Sequence, residues 1–465
     1  MSKDRPNILW LDTEDLSPNL ACYGEPLVKT PNLDRLAGDG VRFTNAFVTG
    51  AVCSATRSAL ATGMYQTSIG AHHHRSNRDK PLPKPARHFS HYLREAGYFV
   101  CNGRALTDGE PGKLDLNFKG EFDDFFDGAD WSQRQDGQPF FAQMYFPETH
   151  RQFYRDPDNP IDMDAVEIPP YYPDHPVVRR MWTLYLETIQ NLDKKVGKVL
   201  QRLEDEGLAE NTAVFFWGDH GRPMVRGKQW LYEGGIHIPL IVRWPGCVAP
   251  GIVDDKLVST IDLTPTWLDA AGVAPPEHME GQLFLGPEHP GREHIIAARD
   301  RCDEVDDRIR CVRTNQYKYI RNYCPELPYT QFGCYKKQAY PELTVMQILH
   351  RQDKLTPEQA QFMAPTKPQE ELFDLQQDPH ELNNLAAQPN QEITLQKMRD
   401  ILDDWVRETG DCGETPEPEE LKLQKDKQFQ ENYARVMERR GLSADTPDEE
   451  YLAWWEKELV RMLGR

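Results

Sequence analysis

Short, unbroken apolar runs closed by acidic or imidazole residues alternate with helix-periodic stretches through the first half of the chain. Asn7-Ile8-Leu9-Trp10-Leu11 ends in Asp12-Thr13-Glu14-Asp15, the pattern of a strand buried on both faces that delivers carboxylates at its C-terminal end. Residues 140–146 repeat the pattern and close at Pro147-Glu148-Thr149-His150, and residues 212–217 repeat it again and close at Gly218-Asp219-His220-Gly221. Residues 41–48, 97–101 and 238–244 read as further strands. Helices are predicted over 30–37, with Thr30 as cap and Pro31 at the first position, over 88–96, and over 177–206. The last carries an apolar stripe (Met181, Leu184, Ile189, Leu192, Val196, Val199, Leu203) that reads as core packing. Such alternation predicts an α/β fold: a large mixed, mostly parallel sheet sandwiched by helices, with ligands at the C-terminal strand ends.

The pattern changes near residue 290. Residues 295–299, 308–314 and 317–323 read as short antiparallel strands around the turn Thr314-Asn315-Gln316, followed by Leu372-Phe373-Asp374-Leu375 and a helix after Pro379. From Pro416 the chain is charged and helical, with Tyr451, Leu452, Trp454, Trp455, Leu459 and Met462 read as packing back onto the body. The expected organisation is a catalytic α/β domain over 1–290, a smaller C-terminal α+β subdomain with an antiparallel sheet over 291–415, and a charged helical extension over 416–465. Residues 151–176, rich in Pro and Asp, read as a surface insertion.

At 465 residues the chain is long enough for more than one lobe. Its net charge of -20 argues against a nucleic-acid partner, and no run reaches the roughly 20 apolar residues of a membrane span. Met1 leads into the first strand with no apolar signal region, so the expectation is a cytoplasmic protein, or a periplasmic or secreted one if a leader has been removed. The nine cysteines lack the close pairs of a zinc site; most are expected to be reduced and buried, with one bridge open among those from Cys302 to Cys334.

Candidate chemistry centres on residues 51–63. Cys53 and Arg57 lie one helical turn apart among small residues, which sets a nucleophile beside a permanent cation where backbone N–H groups approach an anion closely. Cys53-Ser54-Ala55-Thr56-Arg57, continued by Leu60-Ala61-Thr62-Gly63, resembles the Cys-x-Pro/Ala-x-Arg signature of the type I, formylglycine-dependent sulfatases of the alkaline-phosphatase-like superfamily. Similar marks are the first strand through Glu14-Asp15, Thr30-Pro31-Asn32-Leu33-Asp34, Gly218-Asp219-His220-Gly221, Gly227-Lys228 with Tyr232-Glu233-Gly234-Gly235, and Glu371-Leu372-Phe373-Asp374-Leu375.

The resemblance implies that Cys53 is converted by a formylglycine-generating maturation enzyme to Cα-formylglycine, whose hydrate attacks sulfur and later expels sulfate. It implies a divalent cation, Ca²⁺ first, on Glu14, Asp15, Asp219 and His220, with glutamate at 14 where the family usually has aspartate. Arg57 would hold the nucleophile, Lys228 would contact sulfate, and His150 would bind sulfate or act as acid toward the leaving group. The family's Gly-Lys-x-His is answered after Gly97-Tyr98 by Gly103-Arg104-Ala105-Leu106: Arg104 would supply the cation, and His72, His73 or His74 the missing imidazole. His74, His237 and Arg301, with Asp300 and Asp303, are further candidates for the substrate rim. The expected activity is hydrolysis of sulfate esters on a sulfated small molecule or oligosaccharide, with oligomeric state open. The alternatives are a phosphonate or phosphate diester hydrolase of the same superfamily and a non-catalytic homologue that binds sulfated glycans.

Overall fold

The strands whose apolar runs predict burial form the centre of a seven-stranded sheet in the order β3-β4-β1-β5-β6-β2-β7. These are β1 (Asn7–Thr13), β2 (Val41–Phe47), β3 (Phe99–Arg104), β4 (Phe140–Phe146), β5 (Thr212–Gly218), β6 (His237–Arg243) and β7 (Ile252–Ser259). The structure is a computed structural model and describes residues 5–76 and 78–464. β1 runs parallel to both β4 and β5 and is buried along its whole length. Their C-terminal ends therefore lie side by side, which brings Glu14-Asp15, His150 and Asp219-His220 to one edge. β6 alone breaks the parallel order, running antiparallel to β5 and β2.

Trp10 of β1 stacks on Trp217 of β5 with centroids 5.2 Å apart and meets Trp267 at 5.3 Å. Trp267 also meets Phe89, Phe141 and Phe215, fastening the helices Phe89–Glu95 and Leu263–Ala270 to the sheet. The helices Pro31–Gly38 and Pro176–Asp205 pack on each other. The expected fold class is the observed one.

A second, four-stranded antiparallel sheet has the order β11-β10-β9-β8, built from β8 (Ile295–Arg299), β9 (Ile309–Arg313), β10 (Tyr317–Asn322) and β11 (Glu370–Asp374). The helix after Pro379 begins only at Glu392 and lays Leu395, Met398, Leu402 and Trp405 into a cluster with Val312, Tyr319 and Leu372. The last helix, Asp448–Leu463, packs back on Pro341–Arg351 and Pro176–Asp205, burying Tyr451, Trp455 and Leu459. β7 has no counterpart in the sequence reading. Its first half is an exposed edge, Ile252 and Val253 being 45% and 57% exposed, so its residues carry no buried-strand pattern. Residues 151–176 are irregular, as expected, yet are pinned rather than merely superficial: Phe153, Asp156, Val166, Tyr171 and Tyr172 are buried. All nine cysteines are free, so no pair between Cys302 and Cys334 is bridged; Cys302 instead packs against Val52 and Ala55.

Candidate active site

The helix Cys53–Thr62 starts where the ends of β1, β4 and β5 converge, and every one of its residues is buried. With 3.6 residues per turn, Cys53 and Arg57 share one face. Cys53 Sγ lies 3.2 Å from His220 Nε2, 3.4 Å from Lys228 Nζ and 4.0 Å from Glu14 Oε2. Arg57 forks onto Asp12 at 2.6 and 3.0 Å, and also donates to Glu14 at 2.8 Å and to Asp219 at 3.3 Å. Such bidentate pairing fixes geometry as well as charge. The helix's serines work on another side. Ser54 Oγ is 2.7 Å from His74 Nδ1, and Ser58 Oγ accepts the Asn117 N–H, tying the segments around 74 and 117 to the helix that carries Cys53.

Burial by itself disfavours every charge here, and those of Glu14 and Asp15 are sustained by opposite ones. Desolvation opposes ionisation of Glu14, but Lys113, whose Nζ is 2.7 and 2.8 Å from its two oxygens, and Arg57 outweigh it and hold the carboxyl at about 2. Asp15 is likewise held well below its ordinary value against burial, by Lys228 at 3.0 and 3.1 Å and then by His220. Asp12 goes the other way: its burial raises it in spite of Arg57. His150 is lowered by burial and then by Lys228. Its Nδ1 is 2.7 Å from the Arg151 carbonyl and must donate there, so in the neutral ring Nε2 keeps its lone pair, 4.0 Å from Asp15.

The donor set fits a hard divalent cation. Asp15, Asp219, His220 and Cys53 offer ligand atoms all within 4.8 Å of one another, as do Glu14, Asp15 and His150. The buried carboxylates of Glu14, Asp15 and Asp219 and the His220 imidazole supply the oxygen and nitrogen donors such an ion takes. His220 donates Nδ1–H to the Gly221 carbonyl at 2.9 Å, which directs Nε2 toward the carboxylates, 2.9 Å from Asp15.

Of the residues predicted from sequence, Glu14, Asp15, Cys53, Arg57, His150, Asp219, His220 and Lys228 meet at this point, and His74 lies beside it. Three do not. Arg104 is exposed at the end of β3, because the strand runs on through Gly103, after which the chain loops outward. His237 stacks on Phe47 at 4.9 Å, is 2.8 Å from the Thr44 carbonyl, and lines a separate cavity with Arg222, Glu233 and His380. Arg301 divides its guanidinium between Glu417 of the C-terminal segment and the Asp303 carbonyl, and its own carbonyl accepts from His74 N at 2.9 Å, so it borders the site without entering the cluster. His72 faces Cys412, with its Nδ1 3.4 Å from Sγ, and His73 packs on His72, so neither joins the cluster.

The cation that the structure places on Glu14, where Arg104 is absent, is Lys113. Gly112-Lys113-Leu114-Asp115 is the Gly-Lys-x pattern itself, displaced nine residues downstream and with aspartate in the histidine's place. Gly112 is required there, since a Cβ would lie 2.0 Å from Asn102 Oδ1. Asp115 receives Arg75 at 2.9 Å and lies 3.5 Å from Lys113. Also absent from the sequence reading is Tyr335, whose ring centroid is 5.4 Å from Lys228 Nζ and 6.2 Å from the His150 ring. Its buried hydroxyl has no hydrogen-bond partner among the described residues and lies in the field of Lys228, Asp15, Arg151 and Cys53.

Comparison with known proteins agrees with this geometry. Residues 6–273 match the family described as Sulfatase, and residues 218–343 match the C-terminal region of N-sulphoglucosamine sulphohydrolase. An ulvan-active sulfatase of Formosa agariphila is 38% identical over 469 aligned residues, covering 90% of this chain and 77% of its own. Human N-sulphoglucosamine sulphohydrolase is 26% identical, covering 88% and 92%. A solved structure in complex with its substrate D-Glucosamine-2-N, 6-O-disulfate superposes with a TM-score of 0.60 at 18% identity, covering 89% of this chain and all of that one, a likeness of fold. The chain belongs to the sulfatase family, the hydrolases of sulfate esters.

Proposed function

We propose that the substrate is a sulfate ester on a saccharide derived from a sulfated polysaccharide, and that Cys53 acts after conversion to formylglycine by a maturation enzyme. The names of the relatives support the saccharide. The observation that carries the reading is the position of Cys53 Sγ, 3.2 Å from His220 and 3.4 Å from Lys228 at the meeting of three strand ends. The thiol sulfur stands where the nucleophilic oxygen of the mature residue would be.

Glu14, Asp15, Asp219 and His220 would hold Ca²⁺ or another divalent cation. When bound, it supplies charge neutralisation for the sulfate and favours the ionised nucleophile. The chain's own groups do the rest. Arg57 locks Asp12, Glu14 and Asp219 so that the acidic cluster faces Cys53 in one arrangement. Lys228, on Asp15, and Lys113, on Glu14, present two ammonium groups to an anionic ester, and Lys228 can protonate the departing oxygen. His150, neutral with its Nε2 lone pair turned to the site, accepts a proton there. His74 takes the place of the histidine absent after Lys113: its Nδ1 is 2.7 Å from Ser54 Oγ, which accepts from Arg75 N at 3.0 Å, and its Nε2 is 3.7 Å from Asp303.

The test is a parallel assay of matured protein on aryl sulfate, phosphate and phosphonate esters, with and without a chelator. Sulfate preference with activity lost on chelation is expected; phosphonate preference, or full activity after removal of the metal, contradicts the reading.

A further inference from the structure

Tyr335 is one wall of two spaces. Lys228 Nζ of the reaction centre lies over its ring face, 5.4 Å from the centroid, and the His150 ring is 6.2 Å away. It also lines a cavity of about 460 Å³ bounded by Arg151, Gln338, Arg440, Trp454 and Arg461, a size within the roughly 300–1,000 Å³ of small-ligand sites. The cavity therefore starts one aromatic ring away from the groups that surround the scissile ester. Its far wall is the helix Asp448–Leu463, which packs on the helices Pro176–Asp205 and Pro341–Arg351.

The lining chemistry is selective. In a chain of net charge -20, this cavity presents three arginines and one glutamate, Glu458. Arg461 pairs with Glu458 and Arg151 with Glu342. Arg440 has no carboxylate within 4 Å among the described residues; it donates to the Gln338 carbonyl at 2.8 Å and to the Tyr451 hydroxyl, and lies 4.7 Å from the Trp454 ring centroid. A partly exposed indole backed by a cation with no carboxylate within 4 Å among the described residues suits a sugar ring that carries negative charge: the apolar face of the sugar stacks on the indole, and its anionic group meets the guanidinium.

We propose that this cavity is the subsite for the saccharide unit next to the one being desulfated, and that it selects a unit bearing a carboxylate or a second sulfate. The proposal rests on the saccharide reading above. It makes the C-terminal extension part of substrate recognition: Trp454, Arg440 and Arg461 contact the neighbouring unit, and Tyr335 is the partition between that unit and the ester.

The test compares two substrates on the full matured chain, an aryl sulfate too short to reach the cavity and a disaccharide of a sulfated hexosamine and a uronic acid. Trp454→Ala is expected to lower the ratio of kcat/KM on the disaccharide to kcat/KM on the aryl sulfate about tenfold. Trp454→Phe should restore most of that ratio, and Arg461→Gln should lower it several-fold. Parallel loss on both substrates, or an unaltered ratio in all three variants, overturns the subsite. Failure of the wild-type chain to release sulfate from any saccharide while it cleaves the aryl ester would instead refute the saccharide reading. Binding of the unsulfated disaccharide to the Cys53→Ala chain, read by titration calorimetry, then decides the subsite separately: weakening by Trp454→Ala supports it, and no binding overturns it.

Discussion

Two lysines, each almost wholly buried, are shifted in opposite directions. Lys228 is 3% exposed and Lys336 2%. Burial opposes the charge on both, but the Asp15 carboxylate 3.0 Å from Lys228, aided by Cys53, holds that ammonium well above its ordinary value. Lys336 sits 4.4 Å from the Trp230 ring centroid with no hydrogen-bond partner among the described residues. Burial, and then the Arg299 guanidinium, push it down to about 7, against the weaker pull of Cys302, Asp303 and Glu304. Burial acts on both; what differs is that a carboxylate in direct contact offsets it at Lys228 and none does at Lys336. At the convergence of β1, β4 and β5 each carboxylate meets a cation, which gives a rigid, charged centre suited to an anionic ester. Around Lys336 no carboxylate comes within 4 Å among the described residues, so nothing in contact offsets its burial.

Removing a cation from the first region should have the largest effect. Lys228→Ala and Lys113→Ala are each expected to lower kcat/KM on a sulfate ester by about 10²–10³, the scale of about 3–4 kcal/mol of lost transition-state stabilisation. Arg104→Ala should stay within about twofold of wild type. A loss at Arg104 equal to that at Lys113 would reverse the assignment made from the structure.

The second region predicts a smaller effect, on stability. Lys336 is lowered from its ordinary 10.5 to about 7 in the folded chain, so between those values the unfolded chain binds more protons and stability rises with pH. Lys336→Met should therefore be more stable than wild type at pH 7, by about 1–3 kcal/mol, with the gap closing toward pH 10. Denaturant unfolding at the two pH values reads it. A gap that widens toward pH 10 would show that Lys336 is charged and paired.

Much of this organisation was legible in the chain. Three apolar runs ending in acidic or imidazole residues announced parallel strands, and with the Cys53 signature they located seven of the residues that converge; Gly227-Lys228 ahead of Tyr232-Glu233-Gly234-Gly235 located the eighth. Lys113 was legible too, since Gly112-Lys113 stands in the sequence; the loop after Gly103 displaced it from the place where its pattern was sought. Tyr335 was not. It lies on a six-residue helix far along the chain from β1, and nothing in its local pattern separates a tyrosine facing the site from one in the core. His237 and Arg301 misled for the converse reason. Their proximity in sequence to site motifs is real, but stacking on Phe47 and pairing with Glu417 turn the two side chains elsewhere.

The central claim is that Cys53 is the reaction centre, and sulfate release tests it most directly. The chain and its Cys53→Ala variant, each produced together with a formylglycine-generating enzyme, are given the same sulfated oligosaccharide. The account predicts steady release by the wild-type chain and a loss of about 10³-fold or more in the variant. Equal release by the two proteins would contradict it.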